Sequence, residues 1–435
     1  MVATIVIFAV TIALMVLALI FKPSIQIKRY TLQLYWPIAL VGALVLTLSW
    51  VLPPDELWSG LIADSTVNPG KILVLFLSMA ILSIVLDELG FFAFLASWAL
   101  RHAGKSQLRL FFILYLFVSV LTVFTSNDIV ILTFTPFIIC FCKDAKINPL
   151  PYLFAEFVGA NSWSQILLIG NVTNIYLAES AGISFFDYFK AMWLPSTLSS
   201  LVGLGMTLLI FGRKLTAPID GGLEPIRPVK DKVSLGFALA SLGGCIIALS
   251  ISNYIRMEMY LLAFGFMVFD LLSLLIVGLV RKDLALFPRT AKRIPYDVVP
   301  FVLSMFAFVL ALTKYGVSAN IASWLNGEPM ILKYGLASFF TCDLINNIPM
   351  SVLFSAIASS GGYNSGAVYA AISGSNLGAL LTPIGALAGI MWLSILHKDG
   401  IKMSFGKFVL YGAPIAIASM LTAIGGLYLS LAYLV

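Results

Sequence analysis

The fold class this sequence predicts is an all-α polytopic membrane protein, with about ten transmembrane helices and two re-entrant hairpins in two inverted-topology repeats. Each repeat is expected to carry one broken helix. Three observations lead there. Hydrophobic residues make up 60% of the 435 and charged residues 11%, where a soluble domain averages roughly 45–50% and 25%. Most of the 26 Lys and Arg residues crowd into alternate loops between the apolar runs. A polar phrase is also written twice in the apolar text. FTSND (124–128), GANSWSQ (159–165) and IGNVTN (169–174) stand in the first half, FTCDLINNIP (340–349) and GSNLGALLTPIGALAG (374–389) in the second. Amides and hydroxyls in hydrocarbon cost free energy unless they meet partners, a cavity or a ligand. Their recurrence in the same order predicts two halves folded around one shared site.

The elements follow in order. Windows 1–21, 32–52, 193–211, 233–252, 259–280 and 408–435 are predominantly apolar, each long enough to cross about 30 Å of hydrocarbon as a helix. No basic residue precedes the first window and no small-residue cleavage site follows it, so it reads as a span and not a signal peptide. Basic loops at 22–30, 101–109, 143–146, 213–232, 281–293 and 398–407 belong in the cytoplasm by the positive-inside rule. The opposite loops hold Asp55, Glu56, Asp64, Glu179, Asp187, Glu258 and Glu328.

Threading the spans through this bias puts both termini outside. Spans at 2–21, 32–52 and 71–90 lead to the stretch 108–142, whose two ends are both basic and cytoplasmic. That stretch is two full spans or a re-entrant hairpin; a polar tip near Ser126-Asn127-Asp128 and two short arms favour the hairpin. A span at 150–180, interrupted at Gly170-Asn171, and one at 187–212 close the first half. Spans at 233–252, 259–280 and 295–314, a hairpin at 331–358 entered from outside, an interrupted span at 365–397 and a last span at 403–435 repeat the plan. Five spans per half is odd, so the second repeat is inserted upside down.

The domains expected are a first repeat at 1–212 (scaffold 1–107, hairpin and broken helix 108–212), a cytoplasmic linker at 213–232, and a second repeat at 233–435 (scaffold 233–330, hairpin and broken helix 331–435). GFFAFLASW (90–98) matches GVSANIASW (316–324) at Gly, Ala, Ala, Ser and Trp, and Ser184-Phe185 and Ser404-Phe405 open the last span of each half. The matched stretches follow span ends and suit helices lying along the membrane interface.

The chemistry is expected at the breaks. A helix broken at mid-membrane leaves N–H groups on one side and carbonyls on the other, which favour oxygen acceptors and cations or proton donors respectively. Gly170 and Gly385 suit such breaks. Asn127, Asn161, Asn171, Asn174, Asn346, Asn347 and Asn376 supply donors and acceptors, and Ser126, Ser375, Thr173 and Thr382 add hydroxyls. The plainer alternative is that these groups satisfy broken backbone. Asp128, Asp270 and Asp343 are the carboxylates within reach of proton coupling; Asp128 is also placed to cap the hairpin helix, and Asp270 to form an interhelical hydrogen bond. No Lys or Arg is expected at the central site, which suits a neutral or proton-linked solute better than a polyvalent anion.

Other signals exclude function classes. The net charge of +6 lies in loops and not in a nucleic-acid-binding patch. Ala99-x-x-x-x-Gly104-Lys105-Ser106 lacks the first Gly and the preceding strand of a phosphate loop, so the chain is read as a transporter without its own ATPase, not an enzyme. Four cysteines make no disulfide framework, His102 and His397 have no metal partners, and no metal or cofactor is expected. Cys342, beside the second tip, reads first as a small core residue and secondly as a group within reach of a thiophilic substrate.

These residues resemble the ion transporter superfamily, and most of all its bacterial ArsB-type arsenite/antimonite efflux permeases. The likeness rests on LDELGFFAF (86–94), SNDIVILTFTP (126–136), GNVTNI (170–175), NNIP (346–349) and LTPIGALAGIMWLSIL (381–396), and covers nearly the whole chain. It implies export of trivalent arsenic and antimony hydroxides across the bacterial inner membrane, driven by protons, with a separate cytoplasmic ATPase as partner in some relatives. The rival reading in the same superfamily is a sodium-coupled carboxylate symporter or sodium/proton antiporter; a channel or receptor-like protein is a third. Where relatives carry an SNT-like tripeptide at both tips, this chain has Ser-Asn-Asp and Asn-Asn, a departure from the carboxylate carriers.

Overall fold

Hydrocarbon offers no partner to a backbone N–H or C=O, so apolar runs close their hydrogen bonds internally as helices. The computed structural model describes all residues except 23, 28, 29, 64–67, 220–228, 230, 253, 363 and 435. Its first half runs α1 (Val2–Phe21), an antiparallel strand pair β1 (Ser24–Ile27) and β2 (Tyr30–Gln33), α2 (Tyr35–Leu48), α3 (Pro54–Ile62), α4 (Pro69–Glu88), α5 (Phe91–Ala103), α6 (Gln107–Phe124), α7 (Asn127–Asp144), α8 (Leu150–Trp163), α9 (Val172–Ser180) and α10 (Phe185–Phe211). The second half runs α11 (Lys232–Ser250), α12 (Met259–Arg281), α13 (Leu286–Arg293), α14 (Val298–Lys314), α15 (Val317–Leu325), α16 (Met330–Ile345), α17 (Asn347–Ser360), α18 (Ser365–Gly378), α19 (Leu387–Lys398) and α20 (Phe405–Tyr433).

Helix for helix, α1–α10 correspond to α11–α20. The matched glycines Gly90 and Gly316 both enter a short helix from the left-handed region, at φ 83° and 73°, where Gly carries no Cβ penalty. Ser184 and Ser404 both cap the last helix of their half, accepting from Asp187 N and Lys407 N. The helix pairs correspond too. α4 packs on α11, α12 and α13, and α14 on α1, α2 and α3; α7 packs on α19, and α17 on α9; α6 packs on α8, and α16 on α18; α10 and α20 pack on each other. These main packings correspond on exchanging the halves, as a two-fold relation between them would produce. The groups α1–α4 and α11–α14 are therefore interlocked and not merely adjacent.

Seven of the described helices are long and apolar enough to cross a membrane; the other spans are shorter or broken. Three features depart from expectation. The strand pair takes the start of the span expected at 32–52, leaving α2 as 14 residues. α3 and α13 are separate short helices. Each arm of the first hairpin is 18 residues, about 27 Å of helix, so the arms are longer than expected. The tip is nevertheless inside: Thr125, Ser126 and Asn127 are buried. Of the expected linker, 220–228 and 230 lie outside the described residues, and Ile219 N bonds to Lys105 O at 2.9 Å.

Ion pairs tie the short helices α3 and α13 to the other half. Arg293 of α13 meets Glu88 at the end of α4 (2.9 Å), and Glu56 of α3 meets Lys314 at the end of α14 (2.7 Å). The stations match and the signs are exchanged: the cation stands on the short helix in one pair and on the long helix in the other.

Candidate transport site

At the first tip, α6 stops where Thr125 turns extended and α7 restarts at Asn127. Asn127 Nδ2 donates to Asn161 Oδ1 of α8 (3.1 Å), and Asn161 Nδ2 to Phe157 O (2.8 Å). Asn127 Oδ1 and Ser126 Oγ are buried without a partner. Asp128, on the first turn of α7, is partly exposed, and the N-cap Ser126 makes no side-chain capping bond. Asp128 faces a cavity of about 130 Å³ between α7 and α19 on one wall and α2, α4 and α14 on the other.

At the second tip, α16 and α17 are joined through Asn346, held at φ 74° and ψ 154°. That region belongs almost wholly to glycine. Two bonds hold the residue there: Asn346 Nδ2 donates to Ile384 O (3.0 Å), and Asn346 N to Cys342 O (2.8 Å). Asn347 N donates to Gly385 O (2.9 Å), while Asn347 Oδ1 is buried without a partner. Thr382 donates to Asp343 Oδ1 through both its backbone N (3.1 Å) and its hydroxyl (2.7 Å). Asp343 thus anchors the break between α18 and α19, with Oδ2 left over. A Cβ on Gly385 would lie 2.9 Å from Asp343 Oδ1, so this turn closes only around glycine.

The broken helices meet across the two halves. Asn376 of α18 accepts at Oδ1 from Ser164 Oγ (2.8 Å) and Asn171 Nδ2 (2.9 Å), and donates from Nδ2 to Asn174 Oδ1 (2.7 Å) and Ile372 O (2.8 Å). Asn174 Nδ2 donates to Ser164 O and Leu167 O, which closes the carbonyls left where α8 ends. Asn171 caps α9, accepting from Thr173 N. The break itself is wider than expected, running from the end of α8 to α9 through a 3₁₀ turn at Leu168–Gly170. Thr173 Oγ1 and Ser375 Oγ remain buried without partners.

The structure therefore brings together Ser126, Asn127 and Asn161 at one tip, Asn346, Asn347, Asp343, Thr382 and Gly385 at the other, and Asn171, Asn174 and Asn376 between the breaks. Asp270 is not among them. It is buried in α12, which packs on α11 and α4, and it makes no hydrogen bond to either tip. Sequence reasoning missed Tyr35, Arg293 and Asp297, which line the cavity with Asp128 and Ser126. Arg293 counted as one more cytoplasmic loop cation, and nothing local marks it as facing a cavity. Cys342 is fully buried, its Sγ near Phe339 O and Gly374 O in the seam between α16 and α18.

Two helical hairpins whose polar tips meet two interrupted helices inside a multi-pass membrane bundle define a transporter of the small-molecule type. The chain belongs to the CitMHS citrate transporter family, whose model matches residues 32–372. It is similar to the arsenical pump membrane protein of Yersinia enterocolitica, 27% identical over 393 residues, covering 82% of this chain and 85% of that one. The arsenical pump membrane protein of Escherichia coli K12 is 26% identical over 416 residues, covering 86% and 91%. In structure the chain is similar to the Alcanivorax borkumensis YdaH transporter, with a TM-score of 0.60 over 100% of this chain and 98% of that one at 13% identity. That likeness concerns the fold alone.

Proposed function

We propose that this protein is a secondary active transporter that exports arsenite and antimonite, as neutral trivalent hydroxides, in exchange for protons by alternating access. One observation carries the reading. The partnerless buried groups at the tips and breaks include oxygens of Ser126, Asn127, Ser162, Gln165, Thr173, Asn347 and Ser375 together with Asp343 Oδ2, with no cation among them. Arsenous acid is uncharged at physiological pH and presents three hydroxyls. Each O–H can donate to an amide, hydroxyl or carboxylate oxygen, and each oxygen can accept from an N–H. A site of this kind satisfies such a solute without a fixed positive charge.

Proton exchange follows from competition for one carboxylate. Ionised Asp128 accepts a hydrogen bond from a solute hydroxyl; protonated Asp128 offers an O–H in its place. The bond to the ionised carboxylate is the stronger of the two, so proton and solute each weaken the other's binding, which favours antiport. In this reading the scaffold is α1–α4 and α11–α14, the hairpins with α8–α10 and α18–α20 move, the protein lies in the bacterial inner membrane, and both termini are outside.

A second reading, carboxylate transport, is favoured by the family's description as citrate transporters. The one cation lining the cavity among the described residues is Arg293, and it is already paired with Asp87 and Glu88.

Uptake into everted membrane vesicles under an imposed proton gradient separates the two. Arsenite accumulation, abolished by a protonophore and reduced about tenfold or more by Asn127→Ala or Asn346→Ala, is the expected result, since each change strands a buried polar group. Accumulation that survives the protonophore but requires ATP would assign the drive to a partner ATPase. Movement of carboxylates alone, and only with sodium, overturns the proposal.

A further inference from the structure

The cavity below the first tip has an unusual charge inventory for a family described by citrate. Its described lining carries Asp128, Asp297 and Arg293. Both terminal nitrogens of Arg293 are committed, Nη2 to Asp87 Oδ2 (2.6 Å) and Nη1 to Glu88 Oε1 (2.9 Å). Asp87 Oδ2 also accepts from Thr133 of α7 (3.0 Å), so this cluster joins the scaffold to the hairpin. On the facing wall Asp297 accepts from Tyr35 Oη, a neutral donor that leaves its charge in place. One cation is therefore set against four carboxylates.

We propose that Asp87 and Glu88 determine the substrate class by neutralising Arg293, so that a vestibule bearing Asp128 and Asp297 turns away carboxylates and admits uncharged solutes. This rests on the metalloid reading and deepens it. A guanidinium set between two carboxylates keeps N–H donors but has no net positive charge left to offer a third carboxylate. An approaching di- or trianion instead meets like charge in a partly desolvated cleft, where each such contact lowers affinity on the order of tenfold or more. A neutral hydroxide feels neither effect. Asp87 and Glu88 do not touch the solute; they act through Arg293 and are specificity residues in that sense.

The test uses the full-length protein in everted vesicles and measures arsenite uptake with and without excess citrate. The unaltered protein is expected to ignore citrate. Asp87→Asn with Glu88→Gln keeps shape and acceptors, removes both negative charges and leaves the charge of Arg293 uncancelled; citrate should then inhibit, with an inhibition constant lowered roughly tenfold or more. Adding Arg293→Gln should restore indifference, which general loosening of the cleft does not predict. The proposal is overturned if the unaltered protein is inhibited by citrate, if the double variant takes up arsenite and ignores citrate, or if the triple variant stays sensitive. Should the double variant fail to reach the membrane, Asp297→Asn serves instead: it retains the Tyr35 contact, removes one unpaired charge and must sensitise uptake to citrate, and indifference overturns the idea. Failure of the transport reading is separate, since it is marked by an unaltered protein that takes up carboxylates and no arsenite.

Discussion

Asn376 is bonded on every side, and Asn347, another amide of the same twice-written phrase, has a free oxygen. The two should therefore respond differently to the same change. Asn376→Ala strands Asn171 Nδ2 and Asn174 Oδ1 in a buried setting at about 1–3 kcal/mol each, so its melting temperature in detergent should fall measurably. Asn347→Ala keeps the backbone bond to Gly385 and should leave the melting temperature nearly unchanged while arsenite uptake drops. Equal melting temperatures for the two would show that the bonded amides are not the structural ones. Asp128 is tested by its neutral mimic: Asp128→Asn should abolish accumulation against a gradient yet preserve arsenite counterflow, and unchanged pH dependence would remove this residue from the coupling. Asn346 carries a further cost, a backbone conformation worth about 1–3 kcal/mol of strain, retained where its side chain secures the second tip to the second break.

Broken helices depend on what their glycines let approach. A Cβ on Gly170 would come 2.2 Å from Ser164 O, and one on Gly374 1.9 Å from Ser338 Oγ; Gly378 would place its Cβ 2.2 Å from Cys342 Sγ. The last two lie in the seam of α16 with α18 and explain two buried side chains: Ser338 fills the gap at Gly374, and Cys342 the gap at Gly378. Cys342→Ser should accordingly retain arsenite uptake, whereas Cys342→Leu overpacks the seam at about 1–3 kcal/mol or more and should abolish it. Loss of uptake in a folded Cys342→Ser protein would instead give the sulfur a direct role in binding. At this scale much was legible. The tips at Ser126-Asn127 and Asn346, the break near Gly170 and the helices after Gly90 and Gly316 all follow from apolar runs interrupted by residues that end helices. The 3₁₀ turn and the strand pair before α2 did not, because their apolar content does not distinguish them from span ends, and the separate α13 did not, because it lies in the basic run 281–293 that reads as a loop.

Across the whole molecule the halves are interlocked through α4 on α11–α13 and α14 on α1–α3. Neither half then buries its own central scaffold helix. Residues 1–212 or 233–435 expressed alone should be degraded or misfolded, and co-expression should restore arsenite uptake; a folded, stable single half would contradict the interlock. Composition, charge bias and the repeated polar phrase determined by themselves that this is a polytopic membrane protein of two corresponding halves, because hydropathy, helix termination and left-handed backbone positions act within a few residues of chain. Only the tertiary structure decided which polar groups spend their hydrogen bonds on each other and which keep them free. Asn376 meets Asn171 and Asn174 across some 200 positions, and Arg293 meets Asp87 and Glu88 across as many. Partnership at that separation is set by how helices pack, and a hydrogen bond formed or left open depends on tenths of an ångström that no local pattern encodes.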